Sequence, residues 1–299
     1  MKKLSLAYFG SPDFAADFLE KLITDVSINR LIETKLVVTQ PDQPVGRKQI
    51  LTPTPVKIMA EKYKGSEDIK FFAVCGFPSK NFDIELKNID LALVYAFGEV
   101  IPKNILSLPK YGFWNIHPSL LPKYRGPSPI ATPLINGDET TGVTIIKMDE
   151  EIDHGPIIAQ ESLTIEKTDK WPDLEKKLTD LAFEMFKKTV FIKDSLQLKP
   201  QNHSLATYTK KLAKQDGFIE ISNFKFQISN SPEKLYNLFR GLYPWPGIWT
   251  ILPNGKRLKI TGLNIVRNKN LCSLQIKRVQ LEGKKEVDFE TFKRAYKIF

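Results

Sequence analysis

The stretch DLALVYAFGEVIPKNILSLPKYGFWNIHPSLLPKYR (90–125) holds two short apolar runs, at 91–95 and 113–116, separated by a proline-bounded piece at 102–108. Short runs of large apolar residues closed by glycine or proline read as buried strands, and the piece between them reads as a short helix. The alternation continues on both sides. Residues 4–9 form an apolar run that ends at Gly10. Ser11 or Asp13 is then placed to cap a helix on which Phe14, Phe18, Leu19 and Leu22 recur at helical spacing. Residues 36–39, 142–147 and 157–165 suit further strands, and 56–62 a helix. Residues 174–192 suit an amphipathic helix with Leu178, Leu181, Ala182, Met185 and Phe186 on one side. Strands alternating with helices predict an open α/β sheet. Ligands of such sheets lie outside the carboxyl ends of the strands, which puts 10–14, 40–47, 95–98 and 115–125 on one rim. The first turn, GSPDF, is not GxGxxG and gives a dinucleotide site little support. Four prolines and Gly46 within 40–55 predict a long irregular loop, a kind often functional.

The pattern changes after a polar stretch at 193–203, which reads as a linker. Short alternating runs at 248–252, 258–263 and 272–279, with a Pro253-Asn254-Gly255 turn and a helix near 232–241, predict a small β domain. Charge divides at the same place. Residues 206–299 carry 18 Lys and Arg against 7 Asp and Glu, a balance of +11, whereas the whole chain carries +10. The rest is therefore close to neutral, and a polyanion such as RNA is a plausible partner for the last third. A lysine-rich surface that only aids solubility is the plain alternative. Cys75 and Cys272 stand alone, so neither a disulfide framework nor a metal site is expected, and a reducing cytoplasm is the simpler setting. No apolar stretch approaches the length of a membrane span, and the N-terminus lacks a signal-peptide pattern.

Only three histidines are present. His117 closes the run at 113–116, where an α/β enzyme carries working side chains. Asn115 lies two residues earlier, on the same side if the strand continues. An amide donor beside an imidazole suits acyl transfer: the first steadies an oxygen gaining negative charge, and the second moves a proton or donates to that oxygen. A pair that only satisfies backbone groups is the alternative. In MDEEIDHGP (148–156) Asp153 could orient and charge His117, but Asp149, Glu150 and Glu151 compete with it. His154 and His203 read as partly exposed and solvated, and no zinc spacing appears.

The segment NIHPSLLPKYRGPSPI (115–130), followed by GDETTGVTIIKMDEEIDHGPI (137–157), resembles the folate-dependent formyltransferases. Within them, the opening FGSPDFAADFLEKL, the loop TQPDQPVGRKQILTPTPVKIMA, and the tail segments SLATYTKKLAKQDGFIEIS and LFRGLYPWPGIWT are similar to the branch that formylates methionyl initiator tRNA. The resemblance implies a Rossmann-like catalytic domain with a mostly parallel sheet (1–189), a linker (190–205) and a basic OB-like β-barrel that binds tRNA (206–299). It implies 10-formyltetrahydrofolate as donor, methionyl initiator tRNA as acceptor, no metal, and a monomer. Its catalytic Asn, His and Asp fall on Asn115, His117 and Asp153. Its folate contacts fall on Ser119, Leu120, Leu121 and Pro122, with Tyr95, Phe97 and Gly98 near the pterin. Its tRNA-reaching residues fall on Arg47 and Lys48 in the loop and Arg240 in the tail. The loop departs from the branch's common PDRPAGRGKKL: Gln43 replaces an Arg, and Gln49-Ile50 replace a Lys pair, implying a weaker electrostatic grip. His154 stands where Thr is common. Glycinamide ribonucleotide formyltransferase shares N-x-H and D-x-G but has no use for the basic tail. The hydrolase domain of formyltetrahydrofolate dehydrogenase shares HPSLLP but has no use for the loop. A non-catalytic RNA-binding protein would not need all three catalytic residue types.

Overall fold

The computed structural model describes residues 3–46, 48–63, 70–73, 80–220, 232–268 and 271–296. The chain forms two compact units. The first comprises 1–125, 142–163 and 176–208; the second comprises 126–141, 164–175 and 209–299. The expected linker at 190–205 therefore belongs to the first unit, and two inner segments of the first 189 residues belong to the second.

In chain order the first part runs β1 (Leu4–Gly10), α1 (Asp13–Thr24), β2 (Ile32–Thr39), β3 (Gln43–Val45), β4 (Ile50–Thr52), α2 (Pro55–Lys62), β5 (Lys70–Ala73), α3 (Lys80–Lys87), β6 (Leu91–Tyr95), α4 (Lys103–Leu106) and β7 (Phe113–His117). It continues with α5 (Ala131–Asn136), β8 (Thr140–Lys147), β9 (Ile157–Thr164) and α6 (Trp171–Phe191). Seven strands make one sheet in the order β5-β2-β1-β6-β7-β8-β9. The strands β5, β2, β1, β6 and β7 are parallel, and β8 runs antiparallel to β7. The predicted α/β class is correct. From β1 the chain builds toward β2 and β5, then returns to add β6 and β7, so the order reverses between β1 and β6. Such a reversal leaves a crevice at the carboxyl ends of the strands.

Burial on both faces explains the near-continuous apolar strands. One face packs Phe9 against Phe82, Phe97 and Phe113, with ring centroids 5.1–6.4 Å apart. On α1, Phe18 meets Phe183 and Phe186 of α6. Gly10 ends β1 where a Cβ would come within 2.9 Å of both Ala15 Cβ and Tyr95 O, so a side chain there would spread the strand–helix turn.

Several local expectations change. Neither Ser11 nor Asp13 caps α1: its N-cap is Pro12, without a side-chain bond. Ser11 Oγ instead donates to Phe97 O, 3.1 Å away, stitching two rim turns together. The loop at 40–55 contains a small hairpin, β3 with β4, that pairs Gln43 with Thr52 and Val45 with Ile50. Pro44 is tolerated there because a two-stranded ribbon leaves it an edge. Strand β5 and helix α3 were not foreseen; α3 (KNFDIELK) offers few apolar positions, of which Phe82 and Leu86 are buried.

The second unit holds α7 (Pro232–Leu242), β10 (Ile248–Ile251), β11 (Arg257–Asn268), β12 (Leu271–Leu281), β13 (Glu286–Asp288) and α8 (Phe289–Tyr296). Its four strands form an antiparallel sheet in the order β10-β11-β12-β13, in keeping with a small barrel. Its core gathers Phe239, Leu242, Ile248, Leu258, Val279 and Phe292. Gly241 lets α7 lie close on α5: a Cβ there would sit 2.5 Å from Ile135 Cγ1 and 2.9 Å from Ala131 O. Helix α8 was missed at sequence level. Asp288 starts it, accepting from Thr291 N at 2.8 Å and Thr291 Oγ1 at 2.7 Å. Among the described residues no helix is long and apolar enough to cross a membrane.

Removing the central ring of the first core should be costly. Phe9→Ala is expected to lower unfolding free energy by about 3–5 kcal/mol, measured by urea denaturation; a loss below about 1 kcal/mol would contradict this packing.

Candidate active site

Strand β7 remains a strand through its last residue, with Asn115 opposite Ile146 and His117 opposite Thr144 of β8. The alternation of a strand therefore puts both side chains on one side. Both meet Asp153. Asn115 Nδ2 donates to Asp153 Oδ1 at 3.1 Å, and His117 Nδ1 lies 3.4 Å from the same oxygen. The other imidazole nitrogen, Nε2, is 2.9 Å from the carbonyl oxygen of Tyr124. A carbonyl can only accept, so Nε2 carries a proton. In the neutral ring Nδ1 then presents a lone pair to Asp153. At 3.4 Å the two atoms are near enough for a proton to pass between them. His117 is 4% exposed, which keeps water from competing for these bonds.

Asp153 reaches this position through an uncommon backbone. Its φ is +51°, a left-handed conformation that Asp tolerates better than most residues but that still needs outside support. Gly155 shows why the third residue of D-x-G is glycine: a Cβ would lie 1.9 Å from the carbonyl oxygen of Lys147. The turn folds tightly back on the end of β8, with Lys147 N donating to Pro156 O at 2.9 Å. The competing acids point elsewhere. Asp149 pairs with His154 Nδ1 at 2.7 Å, and Glu150 pairs with Lys103. Glu151 lies 3.8 Å from His154 Nε2.

The SLLP segment is partly structural. Ser119 is buried, donates to Lys123 O at 2.7 Å and offers its own carbonyl to Thr144 Oγ1 at 2.6 Å. Leu121 is also buried, while Leu120 and Pro122 are half-buried. Tyr95 and Phe97 differ from expectation. Tyr95 is a core side chain whose hydroxyl bonds Thr179 at 2.9 Å, and Phe97 packs on Phe9. Only the exposed Ala96 and Gly98 bring this turn to the surface, because side chains alternate past the end of β6. Gly98 O accepts from Gln40 at 3.4 Å, which joins two of the expected rim segments.

Lys48 is exposed, and Arg47 lies outside the described residues. Arg240 is 5% exposed and works as a brace within the second unit. Its guanidinium donates to Glu166 O at 3.0 Å, Asp169 O at 3.2 Å and Asn237 Oδ1 at 2.8 Å. Burial pushes its pKa down, with Tyr236 and Asp169 opposing. A side chain so committed does not reach out to a nucleic acid. The histidines read as solvated are in contact: His154 and His203 stack at 3.9 Å, nearly parallel. Sequence reasoning missed Gln201, Arg125, Tyr124 and Thr207, which bond the turn that carries Asp153 and the turn that follows His117. The only signal was that Tyr124 and Arg125 follow SLLP. Among the described residues no cluster of His, Cys, Asp and Glu is arranged to hold a metal ion.

The sequence profile of the formyl transferase family matches residues 2–190, and that of the formyl transferase C-terminal domain matches 211–273. The methionyl-tRNA formyltransferase of Caldicellulosiruptor saccharolyticus is 38% identical over 99% of this chain and 98% of its own. That of Geobacter metallireducens is 35% identical over 98% and 96%. The fold is similar to an N-formyltransferase from Helicobacter canadensis, solved with folinic acid and dTDP-3-aminofucose, with a TM-score of 0.62, 21% identity, and 90% and 89% coverage. At that identity the likeness speaks for the fold alone. The chain belongs to the methionyl-tRNA formyltransferase family of formyl transferases.

Proposed function

We propose that this protein transfers a formyl group from 10-formyltetrahydrofolate to the α-amino group of methionyl initiator tRNA, supplying the start of translation. The observation that carries the reading is the meeting of Asn115 and His117 on one oxygen of Asp153, at 3.1 and 3.4 Å, at the carboxyl end of β7. The names of its relatives indicate the group transferred and the acceptor.

The site fits a formyl donor. An amide nitrogen has two hydrogens. Asn115 spends one on Asp153, and the second has no protein acceptor among the described residues. Leu120 and Pro122 offer an apolar wall, and the turn at 96–98 offers main chain. The donor supplies an activated carbonyl carbon when bound. Asn115 steadies the carbonyl oxygen with its second N–H as that oxygen takes on negative charge. Asp153 accepts the proton that the amine loses as the new C–N bond forms. It returns a proton to N10 of the folate as the old C–N bond breaks. His117 shares the proton with Asp153 through Nδ1, and in its protonated form places a positive charge beside the oxygen. This role is narrower than direct donation to that oxygen, because His117 Nε2 is engaged by Tyr124.

The tRNA would be held by the basic 206–299 region and by the hairpin loop, with Arg47 and Lys48 toward the acceptor end. Arg240 holds the second unit together instead. A functional division into catalytic (1–189), linking (190–205) and tRNA-binding (206–299) segments goes with this reading, as do a monomer and a cytoplasmic setting.

Two measurements test it. Formyl transfer to methionyl initiator tRNA should fall about 10²–10³-fold in Asn115→Ala, and at least as far in His117→Ala and Asp153→Ala. Activity within a few-fold of wild type in all three would remove the site assignment. Affinity for the tRNA should fall steeply and linearly on a logarithmic salt scale. An affinity indifferent to salt would rule out a grip on the phosphate backbone by the last third.

A further inference from the structure

Residues 199–208 bond to both catalytic turns. Lys199 exchanges two backbone hydrogen bonds with Ile157, of 2.8 and 2.9 Å. Two residues on, Gln201 is 5% exposed. Its Nε2 donates to the carbonyl oxygens of Asp153 at 2.9 Å and Gly155 at 2.7 Å, so one amide uses both hydrogens on the two ends of the D-x-G turn. Its Oε1 accepts from Arg125 Nη2 at 2.7 Å. Arg125, itself 2% exposed, also donates to His203 Nδ1 at 2.8 Å. The backbone on the His117 side is tied to the same segment. Arg125 N donates to Thr207 O at 2.9 Å, and Tyr124 N donates to Thr207 Oγ1 at 2.9 Å. Thr207 N donates to Pro122 O at 3.2 Å. The Tyr124 carbonyl that fixes His117 and the turn that carries Asp153 are thus held by one segment.

We infer that Gln201 is a positioning residue for the reaction: it holds Asp153 in its left-handed backbone conformation and, through Arg125, ties that turn to the Tyr124–Arg125 peptide that orients His117. The inference rests on the proposed roles of Asp153 and His117. Gln201 touches no reacting atom in this scheme. Its whole contribution is that Oδ1 of Asp153 stays within reach of both partners. A buried donor shared by two carbonyls suits that task, since losing it leaves both carbonyls without their partner at once.

Gln201→Glu tests this because it preserves size and keeps an acceptor for Arg125 but has no N–H to give. The expected result is a fall in kcat of about 10–100-fold, as small displacements of reacting groups produce. The KM values for the folate donor and the tRNA should stay within about twofold, since neither substrate is contacted. The ¹⁵N signals of His117 should move away from the wild-type pattern of a protonated Nε2. A folded Gln201→Glu protein with kcat within twofold of wild type, or with unchanged His117 signals, would overturn the inference. If that variant does not fold, Gln201→Met decides, because it keeps the length of the side chain, brings no charge beside the two carbonyls and likewise has no N–H to give. A kcat lowered about threefold with shifted His117 signals supports the inference; wild-type values overturn it. Asp153→Ala measured alongside separates the two readings. Full activity there would overturn the site itself, and with it the role of Gln201. Low activity there with a normal Gln201→Glu would overturn only the positioning role.

Discussion

Oδ1 of Asp153 accepts from Asn115 Nδ2 at 3.1 Å and faces His117 Nδ1 at 3.4 Å, and the first unit is organised so that this one oxygen lies between them. Strand β7 supplies two of the partners by continuing to His117, where Thr144 still lies opposite. The third must arrive from a turn, and turns hold position only when something else holds them. Gly155 provides one restraint, by lying where any side chain would strike Lys147 O. Gln201 provides another, from a distance in sequence that no local rule spans. The bond from His117 Nε2 to Tyr124 O then sets the tautomer, so that Nδ1 is the ring nitrogen that faces Asp153. Such an arrangement can take a proton from an amine and give one back without moving.

The parallel sheet was legible because burial on both faces leaves its mark directly on the strands: 4–10, 91–95 and 113–117 lie within a residue or two of where apolar runs place them. Asn115 and His117 were legible as a pair for the same reason, by their place at a strand end. Asp153 was not. Asp149, Glu150, Glu151 and Asp153 stand within five residues, and which one turns inward depends on a positive φ and a close backbone approach that composition does not carry. It took the resemblance to select it. Tyr95 and Phe97 stand at and just past the end of β6, but their side chains belong to the core, which an apolar run closing at a rim does not reveal. Gln201 left no periodic signal at all. It stands in a polar stretch, and polarity alone does not tell a solvated glutamine from one buried against two carbonyls. The helices α3 and α8 escaped because both are short, at 8 residues each.

Charge is the property that the first 205 residues lack and the remainder carries, at +11. A small antiparallel sheet with a basic surface has little to contribute to an amine substrate of a few atoms. It has an evident use if the amine is carried on RNA, where counterion release provides affinity without sequence reading. Not every cation serves that end. Arg240 is spent on the carbonyls of Glu166 and Asp169, which shows how a charge count overstates the surface available to a nucleic acid.

The most direct test of the account is a crystal structure of the protein with folinic acid, a formyl-bearing folate that the N-formyltransferase from Helicobacter canadensis was solved with. The account predicts the pterin beside the turn at 96–98 and the Asp153 turn, with Leu120 and Pro122 along one side. It places the Asn115 amide and the Asp153 carboxyl around the reactive folate nitrogens, the amide nitrogen within about 3 Å of the position that a formyl oxygen on N10 would occupy. A folate bound elsewhere, or one whose N10 lies too far from Asp153 for a proton to pass directly or through one water, would contradict it.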